Sequence, residues 1–155
     1  MTNTFKSVAL IVVSSIILIF IGVFTYANYK AVTYMKSMVN SVAIYPGTEK
    51  VSESARGSID MLGNARYAEN IYKINSNEHF SDILKFYQED LLHKGWRVLS
   101  VSRDMGVRGR NDRGDITVAV NCVTENGKKI PQSESCKEFP GFQMQIEVGY
   151  NITNQ

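Results

Sequence analysis

Residues Ser7–Tyr29 carry no charged side chain, and thirteen Val, Leu, Ile and Phe residues fall between Val8 and Phe24. About 20 apolar residues in a helix cross a hydrocarbon layer roughly 30 Å thick. At about 0.3 to 0.6 kcal/mol each on insertion scales, thirteen such residues favour the bilayer by about 4–8 kcal/mol, and no Asp, Glu, Lys or Arg within the run opposes them. A cleaved signal peptide is the rival reading, with Thr25-Tyr26-Ala27 as a tolerable site. Signal peptides, however, have apolar cores of about 7–15 residues behind a basic segment. Here the core is longer, and Lys6 is the only basic side chain before it. The run is therefore expected to stay as an anchor, with 1–6 as a short N-terminal segment and 7–29 as a transmembrane helix.

Beyond the run, Asn28–Val42 contains neither Pro nor Gly, and Val32, Met35, Val39 and Val42 recur at helical spacing with Tyr29 close to the same stripe. The sequence thus predicts that the helix continues as a stalk over 30–44, projecting about 20 Å past the hydrocarbon. Its apolar stripe must be covered, either by the chain's own domain or by another subunit. The stripe Tyr29, Val32, Met35, Val39, Val42 is accordingly a candidate partner contact. Tyr45-Pro46-Gly47 ends the helix, and 45–57 reads as a polar connector.

The remaining segment, 58–155, suffices for one small domain. Ser58–Leu62 and Arg66–Ile74 read as strands around Gly63-Asn64. A helix is expected from Asn77 to Lys94, capped by Ser76, with Phe80, Ile83, Leu84, Tyr87 and Leu91 on its apolar face. Gly95 suits the left-handed position after a helix, and Trp96 suits the hydrophobic contact that closes such a cap. Val98–Ser102, Ile116–Val123 and Phe142–Tyr150 read as strands. In the last two, apolar and polar residues alternate, as in an antiparallel sheet covered on one side. The expected fold is α+β: an N-terminal transmembrane helix continuing into a stalk, then an antiparallel sheet of about four or five strands with one main helix packed on it.

Tyr45-Pro46-Gly47 after an N-terminal anchor, then Phe86-Tyr87, Leu91 and Gly95-Trp96 followed by a β-meander, resembles a class of small bacterial membrane-anchored extracytoplasmic domains. That resemblance implies a binding or assembly module of the cell envelope and supplies no catalytic residues. The layout is also similar to that of type IV pilins, whose long N-terminal helix precedes a β-sheet domain. The chain departs from the pilin pattern at the processing site, where Phe5 follows Thr4, and at Ala9, which stands where pilins place a Glu.

The formal net charge is +2 for the whole chain, with Lys and Arg scattered among Asp and Glu. Nucleic-acid binders concentrate basic residues on one stripe or helix face, so nucleic acid is not expected as a partner. His79 and His93, the two histidines, lie about 21 Å apart along the expected helix and cannot share a metal ion. No nucleophile elbow or P-loop sequence is present, and neither a cofactor nor a small-molecule substrate is expected. The glycines Gly106, Gly109 and Gly114 alternate with Arg103, Arg108, Arg110 and Arg113, which form a weak candidate anion-binding loop, with Asp104, Asp112 and Asp115 offsetting the charge. Cys122 and Cys136 are the only cysteines. In an oxidising compartment their spacing suits a disulfide, which would stabilise a loop of about 15 residues by roughly 3 kcal/mol.

Together these features predict a non-enzymatic, single-pass accessory or assembly subunit in the cell membrane, its domain periplasmic or extracellular, contacting other membrane-protein subunits. The alternatives are a minor pilin-like or secretion filament subunit and a small envelope enzyme. For the anchor, Ile17→Arg is expected to abolish accumulation in the membrane fraction, because a charge at mid-helix costs about 2.5–3.5 kcal/mol. Fractionation with an intact-mass measurement checks this; a mature chain lacking residues up to Ala27 contradicts it.

Overall fold

The computed structural model describes residues 2–56, 67–74, 78–102, 106–124, 129–130 and 142–152. The expected strand Ser58–Leu62, its turn Gly63-Asn64, Ser76, Asn77, Arg103 and Cys136 lie outside them.

The first element, α1, is one continuous helix from Thr2 to Ser41. It is long and apolar enough to cross a membrane. Its large apolar side chains from Val8 to Tyr26 are uncovered, from 43% exposed at Phe24 to 72% at Leu10. Tyr45-Pro46-Gly47 then reverses the chain as expected. Gly47 takes φ 76° and the Thr48 N–H donates to the Tyr45 carbonyl, as in a turn with Pro at its second and Gly at its third position.

The sheet is antiparallel throughout and comprises β1 (Glu49–Arg56), β2 (Tyr67–Ile74), β3 (Arg97–Ser102), β4 (Gly106–Asn111), β5 (Gly114–Thr124), β6 (Lys129–Ile130) and β7 (Phe142–Ile152). Its order is β1-β2-β7-β5-β4-β3, with the two-residue β6 pairing on β5. The second helix, α2, runs from Phe80 to His93 and lies across β3, β4 and β5. The C-terminal part of α1 lies across β2 and β7 and reaches β1. Both helices thus cover one face of the sheet.

The alternation read in the sequence builds that face. Register aligns Ala68, Tyr150 and Ile116 in one row, then Asn70, Val148 and Val118, then Tyr72, Ile146 and Val120, and finally Ile74, Met144 and Cys122. All twelve are buried. From above, α2 contributes Phe80, Ile83, Leu84, Tyr87 and Leu91, α1 contributes Met35 and Val39, and Val42 follows just past its end. The end of α2 is a complete Schellman motif: Gly95 takes φ 79° and donates to the Leu92 carbonyl, and Trp96 donates to Leu91 at 2.9 Å.

Three expectations need correction. First, 45–57 is not merely a connector, because Glu49–Arg56 forms edge strand β1. Its alternation is weak because a register shift falls between Lys50 and Ser52, and because Glu53, in register with Asn70, stays exposed and reaches Lys36 of α1 at 3.0 Å and Lys50 at 2.6 Å. Second, the described part of the Gly- and Arg-rich segment is not the candidate anion-binding loop. It forms β4, where Val107 faces the core and Gly109 packs closely, an added Cβ there lying 3.1 Å from Ile116 and 3.4 Å from Leu91 and Trp96. Third, α2 begins at Phe80, later than expected, with His79 as a residue that caps nothing through its side chain.

The docking of α1 gives a clear mutational signature. Met35→Ala removes a fully buried side chain and is expected to lower stability by about 2–5 kcal/mol. Tyr29→Ala, on the same stripe but 70% exposed, is expected to leave it unchanged. Chemical denaturation of the detergent-solubilised full chain, followed by Trp96 fluorescence, checks both.

Candidate functional site

The candidate partner stripe divides where the helix meets the domain. Tyr29 stands free and Val32 is half-buried, but Met35, Val39 and Val42 are 0%, 2% and 6% exposed within the chain's own core. Those three are unavailable to a partner. Of the two covers that the stripe allowed, its own domain or another subunit, the chain's own sheet supplies the one for these three residues.

Polar contacts lock this junction. Asn70, 1% exposed on β2, donates to the Asn40 side chain at 2.8 Å and to the Tyr72 hydroxyl at 3.1 Å. The Asp90 carboxylate on α2 accepts from the Ala43 backbone N–H at 3.0 Å and pairs with Lys94 at 2.7 Å. The Tyr45 hydroxyl donates to Glu78 at 3.2 Å, and its ring meets Phe86 edge to face at 5.1 Å. Burial pushes the Tyr87 phenol well above its usual range, which keeps it neutral among these groups. Nothing in the sequence marked Asn40, Asn70 or Asp90, since single polar residues on otherwise regular elements give no periodic signal.

The four arginines of the candidate anion loop are not one cradle. Arg103 lies outside the described residues. Arg108 and Arg110 project from β4 on the uncovered face of the sheet, and both clasp Asp115 of β5. Asp115 is 4% exposed, and Arg110 first, with Arg108, holds its carboxyl down at about 2. The two guanidiniums are thus engaged in an internal clamp across β4 and β5. Arg113 is apart from them on the β4–β5 turn, which is closed by backbone donation from Arg113 and Gly114 to the Asn111 side chain, both at 2.9 Å. Its guanidinium lies over the Tyr34 ring of α1, 5.4 Å from the centroid.

Cys122 is 1% exposed on the core face of β5, and no described cysteine is a free thiol. His79 and His93 sit at opposite ends of α2, and among the described residues no group of His, Cys, Asp and Glu could hold a metal ion. The cleft between α2 and the end of β3, about 480 Å³, is lined by Phe80, Leu84 and Val101 with His79, Lys85 and Gln88 at its edges. This lining provides an apolar floor without paired acid and base groups. No family model matches the chain, and neither does any curated protein or solved structure.

The Asp115 clamp predicts an acid limb. Its folded pKa lies below the value of about 3.9 for an unfolded Asp, so its contribution is complete above about pH 5 and is lost as pH falls towards about 2. Because the guanidiniums are half-exposed, solvent screening keeps that contribution to about 1–2 kcal/mol. Asp115→Asn is expected to lower stability at pH 7 by this amount and to flatten the dependence below pH 5, measured by denaturant titration across pH.

Proposed function

We propose that the chain is a single-pass, membrane-anchored accessory or assembly subunit whose domain lies outside the cytoplasm and contacts a larger membrane complex. One observation carries this reading: a single helix has its large apolar side chains uncovered from Val8 to Tyr26 and is part of the domain core over its last turns. A protein on a flexible tether samples many heights and orientations above a membrane. A domain built around the end of its own anchor holds one, which suits a subunit that meets neighbours in a fixed register.

With Met35, Val39 and Val42 committed internally, the surfaces left for partners are the uncovered apolar run of α1 and the outer sheet face. The external placement of the domain rests on a Cys122–Cys136 disulfide, supported by the absence of a free thiol at Cys122. The filament reading stands second. It is favoured by the same helix, since an uncovered apolar half joined to a half docked on an antiparallel sheet also suits the pilin-like layout.

Extraction of the full chain from its native membrane in mild detergent, with crosslinking before lysis, separates these readings. Defined heterologous membrane proteins in constant ratio are expected. Self-polymers support the filament instead, and a monomer alone contradicts both. In the same preparation, alkylation without reductant is expected to label neither cysteine; labelling of both overturns the external placement.

A further inference from the structure

Between α1 and the β4–β5 turn lies a cleft of about 630 Å³, lined by Tyr29, Lys30, Thr33, Tyr34, Ser37 and Arg113. Its size is that of a small-ligand site. Lys30 and Arg113 are its two cations, and both are exposed. Each is braced by an aromatic ring of α1: the Lys30 ammonium lies 4.9 Å from the centre of Tyr26 and the Arg113 guanidinium 5.4 Å from that of Tyr34. Thr33 and Ser37 have already donated their hydroxyl protons to the carbonyls of Tyr29 and Tyr34.

The helix contributes no acidic group beside these cations, and the turn contributes one, Asp112. No Asp or Glu precedes Glu49 in the chain, so the helix side of the cleft is purely cationic. On the turn, Asp112 stands beside Arg113, and Asp115 is already held by Arg108 and Arg110.

Position identifies the ligand. If the hydrocarbon ends near Tyr29, the headgroup layer occupies the next roughly 5–8 Å. Helical rise places the Lys30 backbone beside Tyr29, with its ammonium turned back toward Tyr26, and places Tyr34, which Arg113 faces, about 8 Å further on, a span within reach of a reoriented lysine side chain. Tyr26, Tyr29 and Tyr34 then form the aromatic belt characteristic of a membrane surface. We infer that this cleft is a binding site for the phosphate of an anionic phospholipid headgroup, gripped between Lys30 on the anchor and Arg113 on the domain. The inference rests on α1 spanning the bilayer. It extends that reading by giving the domain a second attachment to the lipid, so the turn bearing Arg113 rests on the membrane surface.

The test uses the full chain in phosphatidylcholine nanodiscs doped with phosphatidylglycerol, with retained lipids counted by native mass spectrometry after mild detergent release. The wild-type chain is expected to keep phosphatidylglycerol in preference to phosphatidylcholine. Arg113→Gln and Lys30→Gln should each reduce that preference about fivefold, the effect of one cation at a charged lipid surface. Lys85→Gln, an equal charge change on the exposed side of α2, should leave it unaltered. Retention by both cleft variants equal to wild type overturns the site, as does displacement of the lipid by added inorganic phosphate, which would mark a free-phosphate site. Incorporation into nanodiscs is scored separately. Failure to incorporate refutes the spanning helix and the site with it, whereas incorporation without preference refutes the site alone.

Discussion

One helix carries both a long uncovered apolar run and part of the core, and the docking of its last turns on the sheet is the contact on which the rest depends. Met35, Val39 and Val42 fill the space above β2 and β7 that α2 leaves open. Burial of such side chains is worth about 1.5–3 kcal/mol apiece. Without them, the apolar face over β2 and β7 would lose cover that α2 does not provide. The same helix leaves its large apolar side chains from Val8 to Tyr26 uncovered, so this run and the core are joined without a hinge.

Polar contacts give that docking a single register. A helix lying on a smooth apolar surface can slide or rotate at small cost, whereas a buried amide that loses its partner costs about 1–3 kcal/mol. Asn70 supplies that constraint by reaching Asn40, and Asp90 supplies another by capturing the Ala43 N–H where α1 ends. α2 is thereby tied to α1 as well as to the sheet. The orientation of the domain relative to the anchor then follows from the fold, which is why the β4–β5 turn comes to lie beside Tyr34 at the end nearest the apolar run.

Much of this was legible in the residues. The uncharged run, the strict alternation in β5 and β7, the apolar face of α2 and the Gly95-Trp96 cap each rely on a local pattern with one physical solution. The rest depended on pairing that no local pattern reveals. Glu53 stands in β1 in register with buried Asn70 yet stays exposed and is reached by Lys36 of α1, and Gly109 in β4 packs closely beneath Ile116, Leu91 and Trp96. Arg108 and Arg110 read as ligand-binding candidates because their partner, Asp115, belongs to the next strand. The stripe on α1 was visible, but whether it met its own sheet or another subunit was a tertiary question.

The account turns on α1 being a core element of the domain beyond the membrane rather than a free stalk. Hydrogen exchange on the full chain in nanodiscs tests this directly, because amides open with the free energy of the unit to which they belong. Amides of Met35 to Ser41 are expected to be protected as strongly as those at the centres of β5 and β7, and to exchange together with them as denaturant is added. Early exchange across Met35 to Ser41 while β5 and β7 stay protected would show a stalk that frays independently, and would contradict the account.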